Sequence, residues 1–406
     1  MREQVEKLSY ILVIIAFVLT IGGAGVLMVV GQPERISEIE RRRLAGPPTM
    51  EDLQAGPSTY ITAWSDFTAD QFGLREWLIQ THHRGSYNLL GVSGHEDVIL
   101  GKDGWLFYNE PPIVGGTIMV ENYYRGRTTP LSEAALQLMQ ENQIQKREAL
   151  AAQGIPYYLM IVPEKIPVYQ HYLPERYLPL SSDTWLNQYL QFVDGTPEGD
   201  IINPFEILRA AAVNDPDTLY YYTMGTHWTS EGGWLGYTML MDTIRADFPD
   251  AGAAPRDIMQ PRPTIHGDIA LAQRAGIDWQ RTPPDGLYWV SWPRGFQDLE
   301  TPEINERWGF GSGNAVTGAD IVFVRLENAA APYNVLMFRD SFTLAMEHML
   351  LETFAQTAMI WDSYSEQHFE NVTADMDVDI VIEQWAESRF IIQMQRYRQM
   401  AARQGQ

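Results

Sequence analysis

Three side chains in this sequence could support covalent catalysis by a hydroxyl. Ser341 follows Asp340 and the apolar run Tyr333 to Phe338, and Phe342 follows it. An apolar strand running into a serine at the head of a helix sets the hydroxyl at the carboxyl edge of a sheet. There the first helical N–H groups can stabilise an oxyanion. His227, in Thr226-His227-Trp228-Thr229, is a candidate base, and Lys165 follows the strand-like run that ends in Val162-Pro163. A lone serine in this setting is more often a helix cap, and a lone histidine more often a hydrogen-bonded structural residue. Occurring together, they point to acyl transfer.

The flanking segments read as the frame that positions them. Ile155 to Val162 reads as a buried strand, and Ala355 to Trp361 and Val378 to Ile382 as two more. Leu131 to Gln153 predicts a helix with Ser132 near its start and Gly154 as its stop. Thr343 to Thr353 predicts the helix behind the serine, with Leu344, Met349, Leu350 and Leu351 available for burial. Helix, buried strand and loop in succession predict an α/β fold with a parallel sheet and covering helices, whose ligands bind beyond the carboxyl ends of the strands. Thr59 to Leu90 is helical in pattern, with apolar Phe67, Phe72, Leu74, Leu78 and Ile79, and Val98 to Phe107 predicts a hairpin turning at Lys102-Asp103-Gly104. Residues 251–318, rich in Pro and Gly, read as an elaborated loop region close to the site.

The chain has 406 residues, 45% of them hydrophobic, enough for a substantial core. It has no cysteine, so disulfides and thiolate metal sites are excluded, and a net charge of -23 argues against nucleic acid as a partner. No metal-binding spacing and no cofactor motif occurs; His82 and His83 are adjacent on a helix and point to different faces. Leu8 to Gly31 lacks charge and, at about 24 residues, is long enough to span a bilayer, so it reads as a transmembrane anchor, with a signal peptide cleaved at Ala24-Gly25 or a buried core helix as the alternatives. The resulting organisation is a tail over 1–7, the anchor over 8–31, a linker over 32–57 and a catalytic domain over 58–406.

The order of motifs resembles the SGNH-type polysaccharide O-acetyltransferases of the alginate acetylation system, the AlgJ/AlgX and DHHW group. The resemblance lies in Arg41-Arg42-Arg43-Leu44, Asp70 to Arg75, Gly101 to Phe107, Pro163 to Tyr169, Thr226 to Thr229, Gly267-Asp268-Ile269-Ala270 and Asp340-Ser341-Phe342. It implies an SGNH-hydrolase-like fold, Ser341 as nucleophile and His227 as general base. It also implies a body outside the cytoplasmic membrane, a membrane-bound O-acyltransferase as acyl donor and a polysaccharide as acceptor. Counting Lys and Arg beside the apolar span would instead put the body in the cytoplasm. Lys165, Asp340, Trp228, Tyr364 and Arg389 carry over as acceptor-binding residues or supports of the site.

Two positions depart from the family. Its Asp-x-His-Trp becomes Gly225-Thr226-His227-Trp228, so the carboxylate that should orient the imidazole is missing, and Arg339 replaces the Gly before Asp-Ser. Activity then requires a substitute: a backbone carbonyl, Glu231, Asp340 or a carboxylate distant in sequence. The alternatives are a non-catalytic polysaccharide- or partner-binding relative and a carbohydrate esterase. Trp279, Tyr288, Trp289, Trp292 and Trp308 read as packing residues, with stacking on sugar rings as the alternative.

Overall fold

A computed structural model of the chain describes residues 10, 11, 13–15, 17, 18, 22, 36, 37, 42–109, 120–262, 267–281, 287–290, 295–309 and 321–404. Most of the 8–31 stretch lies outside the described residues, and among those described no helix is long and apolar enough to cross a membrane. The chain divides into two compact units, Met1–His95 with Ala272–Trp279, and Glu96–Leu271 with Gln280–Gln406.

In the first unit a two-residue antiparallel pair, β1 (Ile36–Ser37) and β2 (Arg42–Arg43), precedes helices α1 (Met50–Ala55), α2 (Pro57–Asp70) and α3 (Arg75–Gly85). Thr49 and Asp52 close a capping box at the start of α1. A π-turn, Ser86–Leu90, follows α3 and stops at Gly91, which has φ +62°. The helical run expected from Thr59 to Leu90 is therefore broken between Gln71 and Leu74. His83 is buried and His82 exposed, as their adjacency on a helix requires.

The second unit opens with the expected hairpin, β3 (Val98–Leu100) on β4 (Leu106–Tyr108), its turn using positive φ at Asp103 and Gly104. Helix α4 (Glu133–Ala151) starts at the Ser132 cap and stops before Gly154, as expected. The main sheet joins β5 (Tyr157–Val162), β6 (Ile201–Ile202), β9 (Phe296–Asp298), β10 (Ile321–Leu326), β11 (Ala331–Phe338), β12 (Phe354–Ile360) and β13 (Ile380–Ala386) in the order β6-β5-β13-β11-β12-β10-β9. A separate two-stranded pair, β7 (Met259–Arg262) with β8 (Leu287–Val290), lies in the loop region. In the main sheet β6 to β12 pair in parallel, and β10 and β9 continue it antiparallel.

Every residue of β5 and β13 is buried, which is the pattern of parallel strands covered on both faces. Helices α5 (Ser230–Asp247) and α6 (Glu387–Gln404) complete the frame around the site. Thr229 caps α5 by accepting from the N–H of Gly232. In α5, the absence of a side chain at Gly233 lets the backbone of Ala345 approach closely. Behind the serine the expected single helix is a 3₁₀ turn, Ser341–Ala345, and a short helix, Glu347–Thr353. Leu344, expected to be buried, is 53% exposed, while Met349, Leu350 and Leu351 are buried. Trp308 is buried, with its indole donating to Asp375 at 2.9 Å, so it packs and offers no face for a sugar. Trp279 is partly exposed, while Trp292 and the side chains of Tyr288 and Trp289 lie outside the described residues.

Candidate active site

The sheet topology brings the sequence candidates to one edge. Lys165 follows β5, Ser341 follows β11, Tyr364 follows β12 and Arg389 follows β13, all at the carboxyl ends of parallel strands. His227 arrives on the loop before α5. Its Nε2 lies 2.8 Å from the Ser341 Oγ, a hydrogen bond that links residues 114 positions apart.

The carboxylate that the sequence lacks at position 225 is supplied by Asp268. Its Oδ2 lies 2.7 Å from His227 Nδ1, and the same oxygen accepts from the Thr226 N–H at 2.8 Å, the Thr226 hydroxyl at 3.2 Å and the His227 N–H at 3.3 Å. Its Oδ1 accepts from the Ala270 N–H at 2.9 Å. With Nδ1–H directed at this carboxylate, the Nε2 lone pair faces the serine, the tautomer a general base needs. Burial would raise the Asp268 carboxyl. The hydrogen bond and charge of His227, with the N–H groups of Ala270 and Thr226, outweigh it and hold the group well below the ordinary carboxylate range.

Gly225 explains how that carboxylate fits. A Cβ built there would overlap the Asp268 Cγ, Cβ and backbone oxygen. The absence of a side chain at Gly225 thus leaves the space that Asp268 fills. None of the nearer substitutes serves. Glu231 is taken by Arg256, with both oxygens 2.6 Å from Nη2. Asp340 caps the serine turn through the Phe342 N–H at 2.9 Å and binds the Ala386 N–H at 2.5 Å, tying the ends of β11 and β13 together.

Lys165 is buried and donates to the backbone oxygens of Tyr222 at 2.8 Å, Thr223 at 3.2 Å and Gly225 at 2.6 Å. These three bonds clamp the histidine loop. The Gly101 to Phe107 motif backs the clamp: Trp105 and Phe107 lie 5.7 and 5.4 Å from the ammonium, and the Leu106 N–H donates to Thr223 at 2.9 Å. Trp228 is fully buried and its indole donates to the Phe342 carbonyl at 2.5 Å, joining the histidine loop to the serine turn.

Ser341, Tyr364 and Arg389 line a cleft of about 540 Å³ together with Lys146, Ser388 and Arg396. Arg389 donates to Ser363 at 2.8 Å. Burial raises the Tyr364 hydroxyl to about 12, so it stays protonated at neutral pH. Arg339 sends its guanidinium away from the serine chemistry, 4.5 Å over the Trp361 ring and 3.8 Å from Glu347.

Beneath the cleft, Glu383 is fully buried, paired with Lys146 at 2.6 Å, and accepts from the Tyr364 N–H at 2.8 Å. Burial would raise its carboxyl, but Lys146 and the Tyr157 hydroxyl hold it below the usual range. Glu164, Asp340 and Glu387 form no ion pair with Lys or Arg among the described residues, and burial raises all three, Glu387 to about 7.

Residues 98–288 match the family model of the SGNH hydrolase-like domain of the acetyltransferase AlgX. That stretch, a little under half of the chain, is what resembles the AlgX domain. It takes in His227 and Asp268 and ends before Ser341. The fold is thus SGNH hydrolase-like, with a mainly parallel sheet and flanking helices. Similar solved structures include PatB1 of Bacillus cereus, 17% identical with a TM-score of 0.48 over 72% of this chain and 97% of that one. The O-acetyltransferase domain of Pseudomonas putida AlgJ is 18% identical, with a TM-score of 0.43 over 72% and 91% of the two chains. A DHHW family protein from Eubacterium siraeum is 13% identical, with a TM-score of 0.43 over 71% and 93%. No curated protein sequence matches the chain.

Proposed function

We propose that this chain transfers an acyl group, acetyl by analogy with the matched family, to hydroxyls of a cell-surface or secreted polysaccharide through an acyl-Ser341 intermediate. The observation that carries the reading is the unbroken line Asp268–His227–Ser341, with spacings of 2.7 and 2.8 Å. His227 Nε2 takes the Oγ proton as Oγ bonds to the acyl carbon. The imidazolium then protonates the leaving group as its bond to that carbon breaks. A sugar hydroxyl next gives its proton to Nε2, bonds to the same carbon and frees Oγ, which takes the proton back. Ser341 opens its turn and so has no intrahelical acceptor for its own N–H, which becomes a donor to the oxyanion.

The 8–31 stretch anchors the chain in the cytoplasmic membrane in this reading, with the body on the extracytoplasmic side. A membrane-bound O-acyltransferase delivers the acyl group, and Tyr364 and Arg389 face the acceptor in the cleft. Asp268, 2.7 Å from His227 Nδ1, supports this reading over the non-catalytic one, which rested on the absent carboxylate.

The test is hydrolysis of 4-nitrophenyl acetate by the full chain. Ser341→Ala should reduce the rate to background with an unchanged circular dichroism spectrum; a variant as active as the parent would exclude the acyl-serine. Adding soluble polysaccharide separates transfer from an esterase, because a transferase moves the acetyl group to sugar and an esterase releases acetate. A reporter fused after Gln406 should register outside the cytoplasm.

A further inference from the structure

We propose that α1, α2, α3 and the turn after them lie against the surface of the bilayer in which residues 8–31 are anchored, with their outward apolar side chains in its interfacial layer. The inference rests on the anchor reading above and adds a second, peripheral attachment to it.

Among the described residues these helices have no cover that buries an apolar side chain. Neither α1 nor α2 contains a buried residue, and the single buried residue of α3 is His83. Short helices in water owe most of their stability to packing of an apolar face, so helices that bury none need something to pack on. Their large apolar side chains point outward: Ile61 is 68% exposed, Trp64 45%, Trp77 61%, Leu89 83% and Leu90 73%. Ile61 and Trp64 stand three residues apart and share a face of α2, where the Trp64 ring meets Phe67 edge-on at 5.8 Å. Leu89 and Leu90 project from a tight turn, next to Tyr87, which is 36% exposed.

The choice of occupant follows from distance along the chain and from side-chain type. Residues 32–49 join the apolar span to α1, and at most about 3.6 Å per residue they hold the helices within roughly 65 Å of the membrane. A tether of that length keeps a weak membrane contact at high effective concentration. Tryptophan and tyrosine are the residues that favour the boundary between headgroups and acyl chains, because each joins an apolar ring to a polar N–H or O–H. A helix with aromatic and aliphatic side chains on one face lies in that plane.

The sequence contains no cysteine, so single spin labels can be placed on the full chain without background. Val18→Cys, Ile61→Cys and Leu89→Cys variants would be reconstituted in phosphatidylethanolamine–phosphatidylglycerol vesicles. Each label's collisions with lipid-soluble oxygen would be compared with those with a water-soluble nickel chelate. At Ile61 and Leu89 the expected oxygen-to-nickel ratio is several-fold above that of free label in buffer. Water-like ratios at both sites overturn the proposal. Protection from both reagents also overturns it, since the cover is then a second copy or another protein. Val18 reports on the anchor separately: lipid-like there and water-like at Ile61 and Leu89 leaves the anchor standing and removes the peripheral contact. A Val18 outside lipid with Ile61 and Leu89 inside it removes the anchor and keeps the contact.

Discussion

In the α/β unit, β5 reads Tyr-Tyr-Leu-Met-Ile-Val with every side chain buried; in the helical unit, α2 holds Ile61 and Trp64 68% and 45% exposed. Both segments carry large apolar side chains, yet one fills an interior and the other faces outward. Apolar content therefore marks the core in one part of this chain and a contact surface in the other. The chemistry sits where burial is deep enough to fix a serine, a histidine and an aspartate in line.

Changes in the α/β unit should be costly and those in the helical unit nearly free. After loss of the nucleophile itself, the largest effect is expected from Asp268→Asn, which keeps the shape and removes the orienting charge. Hydrolysis of 4-nitrophenyl acetate should fall by about 10⁴, roughly 5 kcal/mol of barrier, with the melting temperature changed little. A parent-like rate would show that the imidazole is oriented by another group.

Lys146→Met should destabilise the fold by about 3–5 kcal/mol in urea unfolding, because it leaves Glu383 charged and unpaired inside the sheet. A loss below 1 kcal/mol would mean that this interior is wetter than its burial indicates.

Glu387 gives the same unit a pH dependence. Its carboxyl is raised by burial from 4.5 to about 7, so folding takes up a proton between those values. Unfolding free energy should fall as pH rises through that window, by on the order of 3 kcal/mol, and be level above it. Glu387→Gln should flatten the slope; an unchanged slope would assign it to other groups.

Gly225→Ala should reduce the rate by about 10², since its methyl group overlaps Asp268 and displaces the carboxylate. Gly225→Asp, which would restore the family's residue, should impair the enzyme in the same way and not improve it. Smallest of all, Leu89→Ser should shift stability by less than about 0.5 kcal/mol in detergent-free buffer. A loss comparable to that of a core leucine would place Leu89 in an interior and erase the contrast between the units.

Much of the frame could be read from residue patterns. The apolar runs before Pro163, Arg339 and Trp361, and the one from Val378 onward, became β5, β11, β12 and β13, because strands buried on both faces are continuously apolar. Ser341 and His227 were legible because each stands beside such a run or beside a tryptophan that packs. Asp268 falls within one of the matching motifs, but its partnership with His227 is not legible there, since it lies 41 residues beyond the histidine and no local pattern reports that separation. Two signals pointed to it: a glycine where a carboxylate belongs, and an aspartate after glycine in a Pro- and Gly-rich stretch. The edge strand β9 and its neighbour β10 are not legible in the sequence because they lie in and beyond that stretch. The outward aim of Leu78 and Leu344 was equally out of reach: periodicity says which residues share a face, and not what covers it.

The vacancy at Gly225 has a consequence for sorting sequences into active and inactive. A filter requiring aspartate two places before the histidine would discard this chain as a decayed copy. The same residue, judged together with what occupies the space beside it, leaves the line of carboxylate, imidazole and hydroxyl complete. Fixed motif positions alone are therefore a poor guide to which sequences have lost such a line.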